Sequence, residues 1–138
     1  MSQPLVTIGL TTYNSADSVE RAVASALAQT WRPIEIVAVD DCSSDATVVI
    51  LNKLATHYSE LRVFVNPTNR GVAVSRNRIL DEARGDFIAF FDDDDESLPQ
   101  RIESQVCRIV SYESDFANGA PVVCHSARMR IYAEGVER

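Results

Sequence analysis

Lysine is nearly missing from this chain: Lys53 is its only representative, and acidic residues outnumber basic ones by 20 to 13. The formal charge of -7 and pI near 4.7 disfavour a nucleic-acid backbone or an anionic membrane as main partner, because both demand a basic surface. No apolar run approaches the ~20 residues of a membrane span. The opening MSQPLVTIGL also lacks the basic, apolar, small-residue order of a signal peptide. A cytoplasmic location is therefore expected, either free or at the cytosolic face of a membrane. Cysteine is sparse: Cys42, Cys107 and Cys124 form no CxxC pair. That argues against a zinc site or disulfide framework and for buried reduced thiols. Neither GxGxxG nor GxxxxGK[ST] occurs, which removes the dinucleotide fingerprint and the P-loop.

What the chain does hold is enough apolar material for one core. With 138 residues, 46% of them hydrophobic, a single domain spanning residues 1–138 is expected. Apolar runs alternate with helical periodicity along it. LVTIGL (Leu5 to Leu10) reads as a strand, and Val19, Val23, Ala26 and Leu27 share one face of a helix beginning after Asn14 or Ser15. IEIVAV (Ile34 to Val39) is a second strand. Ser43 or Ser44 then offers an N-cap for a helix through about His57, with Val48, Leu51 and Leu54 inward. Leu61 to Val65 is a third strand, followed by a helix from about Val72 to Arg84 with Gly85 just past its end. FIAFF is a fourth, and Pro99 suits the first turn of a helix carrying Ile102, Val106, Ile109 and Val110. Short strands around Val122 and Met129 complete the reading. His57 falls late in a helix and His125 in a strand, both in structural roles.

Strand and helix in this alternation imply an α/β fold, with a mostly parallel sheet flanked by helices and joined by right-handed crossovers. Ligands of such open sheets bind beyond the carboxyl ends of the strands. Three polar clusters fall there: TTYN (Thr11 to Asn14), DDCSSD (Asp40 to Asp45) and DDDD (Asp92 to Asp95). Adjacent carboxylates repel, and a divalent cation resolves the conflict. Mg2+ or Mn2+ takes oxygen ligands and needs only one or two carboxylates when a substrate phosphate and waters complete its shell. Alternation along an extended segment lets Asp92 and Asp94 converge on a metal-bound diphosphate while Asp93 and Asp95 face elsewhere. The remaining clusters suit a nucleotide. Tyr13 can stack on a base, and Asn14 can bond it or cap the first helix. Asp40 or Asp41 can accept a hydrogen bond from a base or a sugar. Ser43, Ser44 and Asp45 read as turn and capping residues. Arg76 can contact the ligand or hold the acidic loop, whereas Arg78 reads as a solvated helix residue.

TIGLTTYN, SALAQTW, EIVAVDDCSSDAT, NRGVAVSRNRIL and GDFIAFFDDDDESLP, in that order, resemble the nucleotide-binding half of family 2 glycosyltransferases, whose fold is the Rossmann-like GT-A fold. The resemblance runs to about Arg108. It implies a glycosyltransferase using a UDP- or GDP-linked sugar with Mn2+ or Mg2+, inverting at the anomeric carbon and acting on an unknown saccharide or lipid-linked acceptor. It further implies Thr11 and Tyr13 around the base, Asp41 or Asp40 reading it, Asp92 on the ribose or metal, and Asp94 as principal metal ligand. Asp93 joins the nucleotide-sugar set. Counting back from Pro99 selects Asp92 and Asp94 as the DxD pair. Cys42 and Asp93 stand where the family often has Gly and Ala. Members normally continue into an acceptor-binding half with a catalytic base, so the chain reads as truncated before it. Asp115 and Glu134 stand in no recognisable base motif, and the general base is unassigned. A non-catalytic or truncated nucleotide-sugar-binding domain is the alternative. Bare sheet edges would favour a homo-oligomer.

Other acidic architectures fit less well. A receiver domain needs a lysine at a late strand end, and Lys53 lies in the helix after the second strand. A dehalogenase-type phosphatase has Thr or Val where Glu96 stands, and its motif comes early in the chain. A calcium loop from Asp92 to Glu103 would have Ser97 in place of the turn glycine.

Overall fold

The computed structural model describes residues 2–127 and the backbone of 130–132 and 135–137. Four strands, β1 (Val6–Thr12), β2 (Ile34–Asp40), β3 (Leu61–Val65) and β4 (Phe87–Asp92), form an all-parallel sheet in the order β3-β2-β1-β4. Helices α1 (Val19–Leu27), α2 (Thr47–His57) and α3 (Val72–Glu82) connect them, and α4 (Arg101–Tyr112) follows. The α/β class expected from the sequence is thus observed.

Topology follows from the handedness of the crossovers. β1, β2 and β3 step in one direction, so α1 and α2 lie side by side on one face. The chain then doubles back to place β4 beside β1, which sends α3 to the opposite face, against β1 and β2. The sheet therefore reverses its winding between β1 and β4, the crevice where ligands of open α/β sheets bind.

Burial tracks strand position. Every residue of β2 is buried, as a central strand covered on both faces requires, whereas the edge strands β3 and β4 are mostly half-buried. Val37, Val39 and Ile79 form a core cluster under α3, joined by Phe64 and Ile88. On α1, Val19, Ala22, Val23 and Ala26 are buried at helical spacing. Gly85 is no helix cap: a Cβ there would lie 2.6 Å from the backbone N of Thr7, so glycine is required for the close approach to β1.

Compact packing divides the chain into Met1–Ile102 and Glu103–Arg138. In the second unit a π-helical turn (Glu113–Ala117) continues α4, and β5 (Arg130–Tyr132) pairs antiparallel with β6 (Gly135–Glu137). The strand expected around Val122 is absent, since 121–127 are irregular; His125 therefore lies in no strand. Met129 and Glu134 fall outside the described residues. Val110 is exposed rather than inward. Cys42 and Cys107 are exposed free thiols and Cys124 is half-buried, which corrects the expectation of buried thiols.

Candidate active site

Parallel register assembles the site. Thr11 pairs with Asp92 and Thr12 with Asp40, so the polar ends of three adjacent strands arrive together at the carboxyl edge of the sheet. A cleft of about 440 Å³ opens there, lined by Thr11, Thr12, Tyr13, Asp41, Asn69, Gly71, Val72, Ser75 and Asp92 to Asp94. Tyr13 is 52% exposed, leaving its ring available to a flat ligand.

The two adjacent acids at the carboxyl end of β2 have different tasks. Asp40 is fully buried and accepts hydrogen bonds from the hydroxyls of Thr12 (2.7 Å) and Ser43 (2.6 Å) and from the Ser43 N–H (2.8 Å). It is structural and does not line the cleft, which corrects its assignment as a base reader. Asp41, one residue on, lines the cleft. Its Oδ1 accepts from Asn66 Nδ2 (3.0 Å) and the Arg70 N–H (2.9 Å), and its Oδ2 from the Gly71 N–H (2.8 Å). Burial works against its charge, but these N–H donors outweigh burial and hold the carboxyl below its usual range. Gly71 serves this clamp with φ at 91°, in the region side chains disfavour.

The first loop is fastened to the second. Asn14, in a left-handed conformation, accepts the Ser44 N–H at 2.8 Å through Oδ1. The N–H groups of Asn14, Ser15 and Ala16 donate to side chains of Ser43, Thr47 and Asp45. Asn14 is thus a loop clasp outside the cleft lining, not the cap of α1. Likewise neither Ser43 nor Ser44 caps α2: the Asp45 carboxylate accepts the Thr47 N–H and hydroxyl. These donors hold the Asp45 carboxyl below its usual range.

The acidic turn is braced by arginines. Arg76 lies 3.5 Å from Asp92 and over the Phe90 ring; it holds the acidic loop and does not line the cleft. Arg101 joins Arg76 in this bracing. Its guanidinium stacks on Phe91 at 4.4 Å and donates to the Phe90 carbonyl and Ser97 hydroxyl. Burial lowers its pKa, and the charges of Asp92 and Asp95 oppose that effect. Its only signal in the sequence is an arginine soon after the aspartate run. Gln29, buried, accepts the Ile102 N–H and donates to the Leu98 carbonyl, securing the segment behind the turn to α1. Asp93 faces the first loop, accepting the Tyr13 N–H at 3.0 Å, and Asp94 is exposed on the cleft wall.

The donor chemistry suits a hard divalent ion. Asp94 has no hydrogen bond or ion pair among the described residues, and Asp92 is one carboxylate away. Among the described residues no three His, Cys, Asp or Glu side chains gather tightly enough to hold an ion unaided. An ion here therefore needs oxygens from a ligand, the pattern of Mg2+ and Mn2+ on phosphates. His57 is exposed beside the Thr56 hydroxyl, and Asp115 belongs to the second unit.

Residues 7–133 match the model of the Glycosyl transferase family 2. The chain belongs to this family. Among its relatives, an uncharacterized glycosyltransferase of Haemophilus influenzae is 34% identical over 77% of this chain and 42% of its own length. The succinoglycan biosynthesis protein ExoO of Rhizobium meliloti is 40% identical over 76% of this chain and 30% of its own. The chain thus spans less than half of either relative. Solved structures share the fold. S. aureus TarS 1-349 in complex with UDP superposes with a TM-score of 0.71 at 30% identity, covering 78% of this chain and 32% of that one. Mannosyltransferase PcManGT of Pyrobaculum calidifontis, in complex with GDP-Man and Mn2+, gives 0.71 at 26% identity over 84% of this chain and 34% of that one. The fold is GT-A, as the resemblance implied. No described helix is long and apolar enough to cross a membrane.

Proposed function

We propose that residues 1–138 form the donor-binding domain of a glycosyltransferase that takes a nucleotide-diphosphate sugar with Mn2+ or Mg2+ and transfers the sugar to a hydroxyl of a saccharide or lipid-linked acceptor. The observation that carries this reading is the cleft where Tyr13, Asp41 and the Asp92–Asp94 carboxylates converge at the carboxyl ends of β1, β2 and β4. Similar structures in complex with UDP and with GDP-Man and Mn2+ support it.

Each residue has a task in this scheme. Tyr13 stacks on the base and Asp41 accepts its N–H. Asp92, held by Arg76, meets the ribose or the ion, and Asp94 is the principal ligand. The divalent ion, when bound, neutralises charge on the departing diphosphate. Asp93 fixes the Tyr13 backbone and so couples the base-binding loop to the acidic turn. The acceptor hydroxyl attacks the anomeric carbon from the face opposite the leaving group, with inversion, and loses its proton to a general base. No described residue is assigned that role. The protein acts in the cytoplasm or, through a lipid-linked acceptor, at the cytosolic membrane face, and pairing of bare sheet edges would give a homo-oligomer.

Calorimetric titration of UDP and GDP, with Mn2+ and again with EDTA, tests the reading. Metal-dependent binding of at least one nucleotide is expected. A folded chain that binds neither would end it.

A further inference from the structure

The carboxylate of Asp41 has little accepting capacity left. An ionised carboxylate carries about four lone-pair sites, two per oxygen. Oδ1 already receives two hydrogen bonds, from Asn66 Nδ2 and the Arg70 N–H; Oδ2 receives one, from the Gly71 N–H. A single site on Oδ2 therefore stays open in the cleft wall.

Asn66 is locked in this arrangement. It is 3% exposed, and its Nδ2 also donates to the fully buried Ser75 hydroxyl at 3.0 Å. Arg78 donates to Asn66 Oδ1 at 3.0 Å and to the Val65 carbonyl at 2.9 Å, with its guanidinium over the Phe64 ring. Arginine can only donate and a carboxylate can only accept. The amide between them is thus fixed with its oxygen toward Arg78 and its nitrogen toward Asp41. Arg78 is therefore an anchor of this relay and no mere solvated helix residue.

Nucleobases differ in what they ask of such a group. Uracil presents one ring N–H flanked by carbonyls. Guanine presents a ring N–H and an adjacent amino group, a pair that matches both oxygens of an unencumbered carboxylate. With Oδ1 saturated, the second guanine donor would be buried without a partner.

Building on the proposed donor site, we infer that Asn66, oriented by Arg78, is a positioning residue that leaves Asp41 one free acceptor and thereby selects a uracil nucleotide over a guanine nucleotide. The selectivity lies in a side chain that does not line the cleft.

Titrations of UDP, GDP and IDP in Mn2+ test this, because IDP keeps the purine and its ring N–H but lacks the guanine amino group. The wild-type chain is expected to bind UDP and IDP each about ten- to a hundredfold more tightly than GDP. In Asn66→Ala the IDP-to-GDP preference should fall to within about threefold. General damage to the fold would weaken all three nucleotides alike and leave the ratios unchanged. Equal binding of IDP and GDP by the wild type overturns the inference even if UDP binds best, since ring size would then decide. A ratio unmoved in folded Asn66→Ala overturns the part assigned to Asn66. Should Asn66→Ala not fold, the wild-type IDP-to-GDP ratio still decides. Binding of none of the three overturns the donor-site reading itself.

Discussion

The backbone N–H of Tyr13 donates to the Asp93 carboxylate at 3.0 Å, joining the loop after the first strand to the acidic turn 80 residues later. Parallel pairing of β1 with β4 makes the meeting possible, because Thr11 and Asp92 are register partners and each chain has then taken one or two more steps past the sheet edge. The proposed base platform and the proposed metal ligand are thus mechanically linked.

That link separates two substitutions at Asp93. Asp93→Asn keeps an oxygen for the Tyr13 N–H, whereas Asp93→Ala removes it. The asparagine variant should bind nucleotide within about threefold of wild type and the alanine variant about tenfold more weakly, as a lost hydrogen bond to a charged group implies. Calorimetry in Mn2+ reads both; equal losses would mean that charge, rather than the loop contact, matters at this position.

Asp94 offers a sharper division between folding and binding. It is exposed and makes no hydrogen bond or ion pair among the described residues, so Asp94→Ala should leave the thermal midpoint within about 2 °C of wild type. Metal-dependent nucleotide binding should nevertheless disappear. Unchanged UDP affinity in Mn2+ would remove Asp94 from the ligand set.

Glu35 occupies the opposite end of the sheet and should affect stability alone. Burial disfavours its charge, but the Thr7 hydroxyl (2.6 Å), the Arg84 N–H (2.7 Å) and Arg62 (3.1 Å) together prevail and hold the carboxyl below its usual 4.5. Its contribution is accordingly complete above that value and fades as pH falls through the lower, folded-state value. Urea denaturation at pH 7 should show Glu35→Ala less stable by about 2–3 kcal/mol, with the gap narrowing below about pH 4 and nucleotide affinity unaffected. A gap that widened with acid would reverse the assigned sign.

Gly85 tests the close approach at that same end. A methyl group there would meet the Thr7 backbone N at 2.6 Å and the Leu5 carbonyl oxygen at 2.9 Å, and neither atom can swing away as a flexible side-chain tip would. Gly85→Ala should cost about 1–3 kcal/mol by denaturant titration. A variant of wild-type stability would show that β1 can shift to make room.

Much of this architecture was legible because it rests on local pattern. β3 falls on Leu61–Val65 and α3 begins at Val72, as periodicity and the preceding turn required. The three polar clusters do meet, since strand alternation with helices dictates a parallel sheet whose carboxyl ends lie together. By contrast, the division of labour between Asp40 and Asp41 depends on what each side chain encounters. Strand alternation turns the last residue of β2 inward to Thr12 and Ser43, and the next outward to the α3 entrance. Sequence spacing holds no record of those partners. Asp45 rather than Ser43 or Ser44 accepts the first N–H of α2 for a related reason: Ser43 is engaged by Asp40, and Ser44 by Asn14, a side chain 30 residues away that only folding brings near. Arg101, Asn66 and Arg78 belong with these cases. The sequence alone determined the fold class, the strand ends and the acidic chemistry gathered there; tertiary contact decided which carboxylates are braced and which are left free, because hydrogen bonding and burial depend on neighbours distant along the chain.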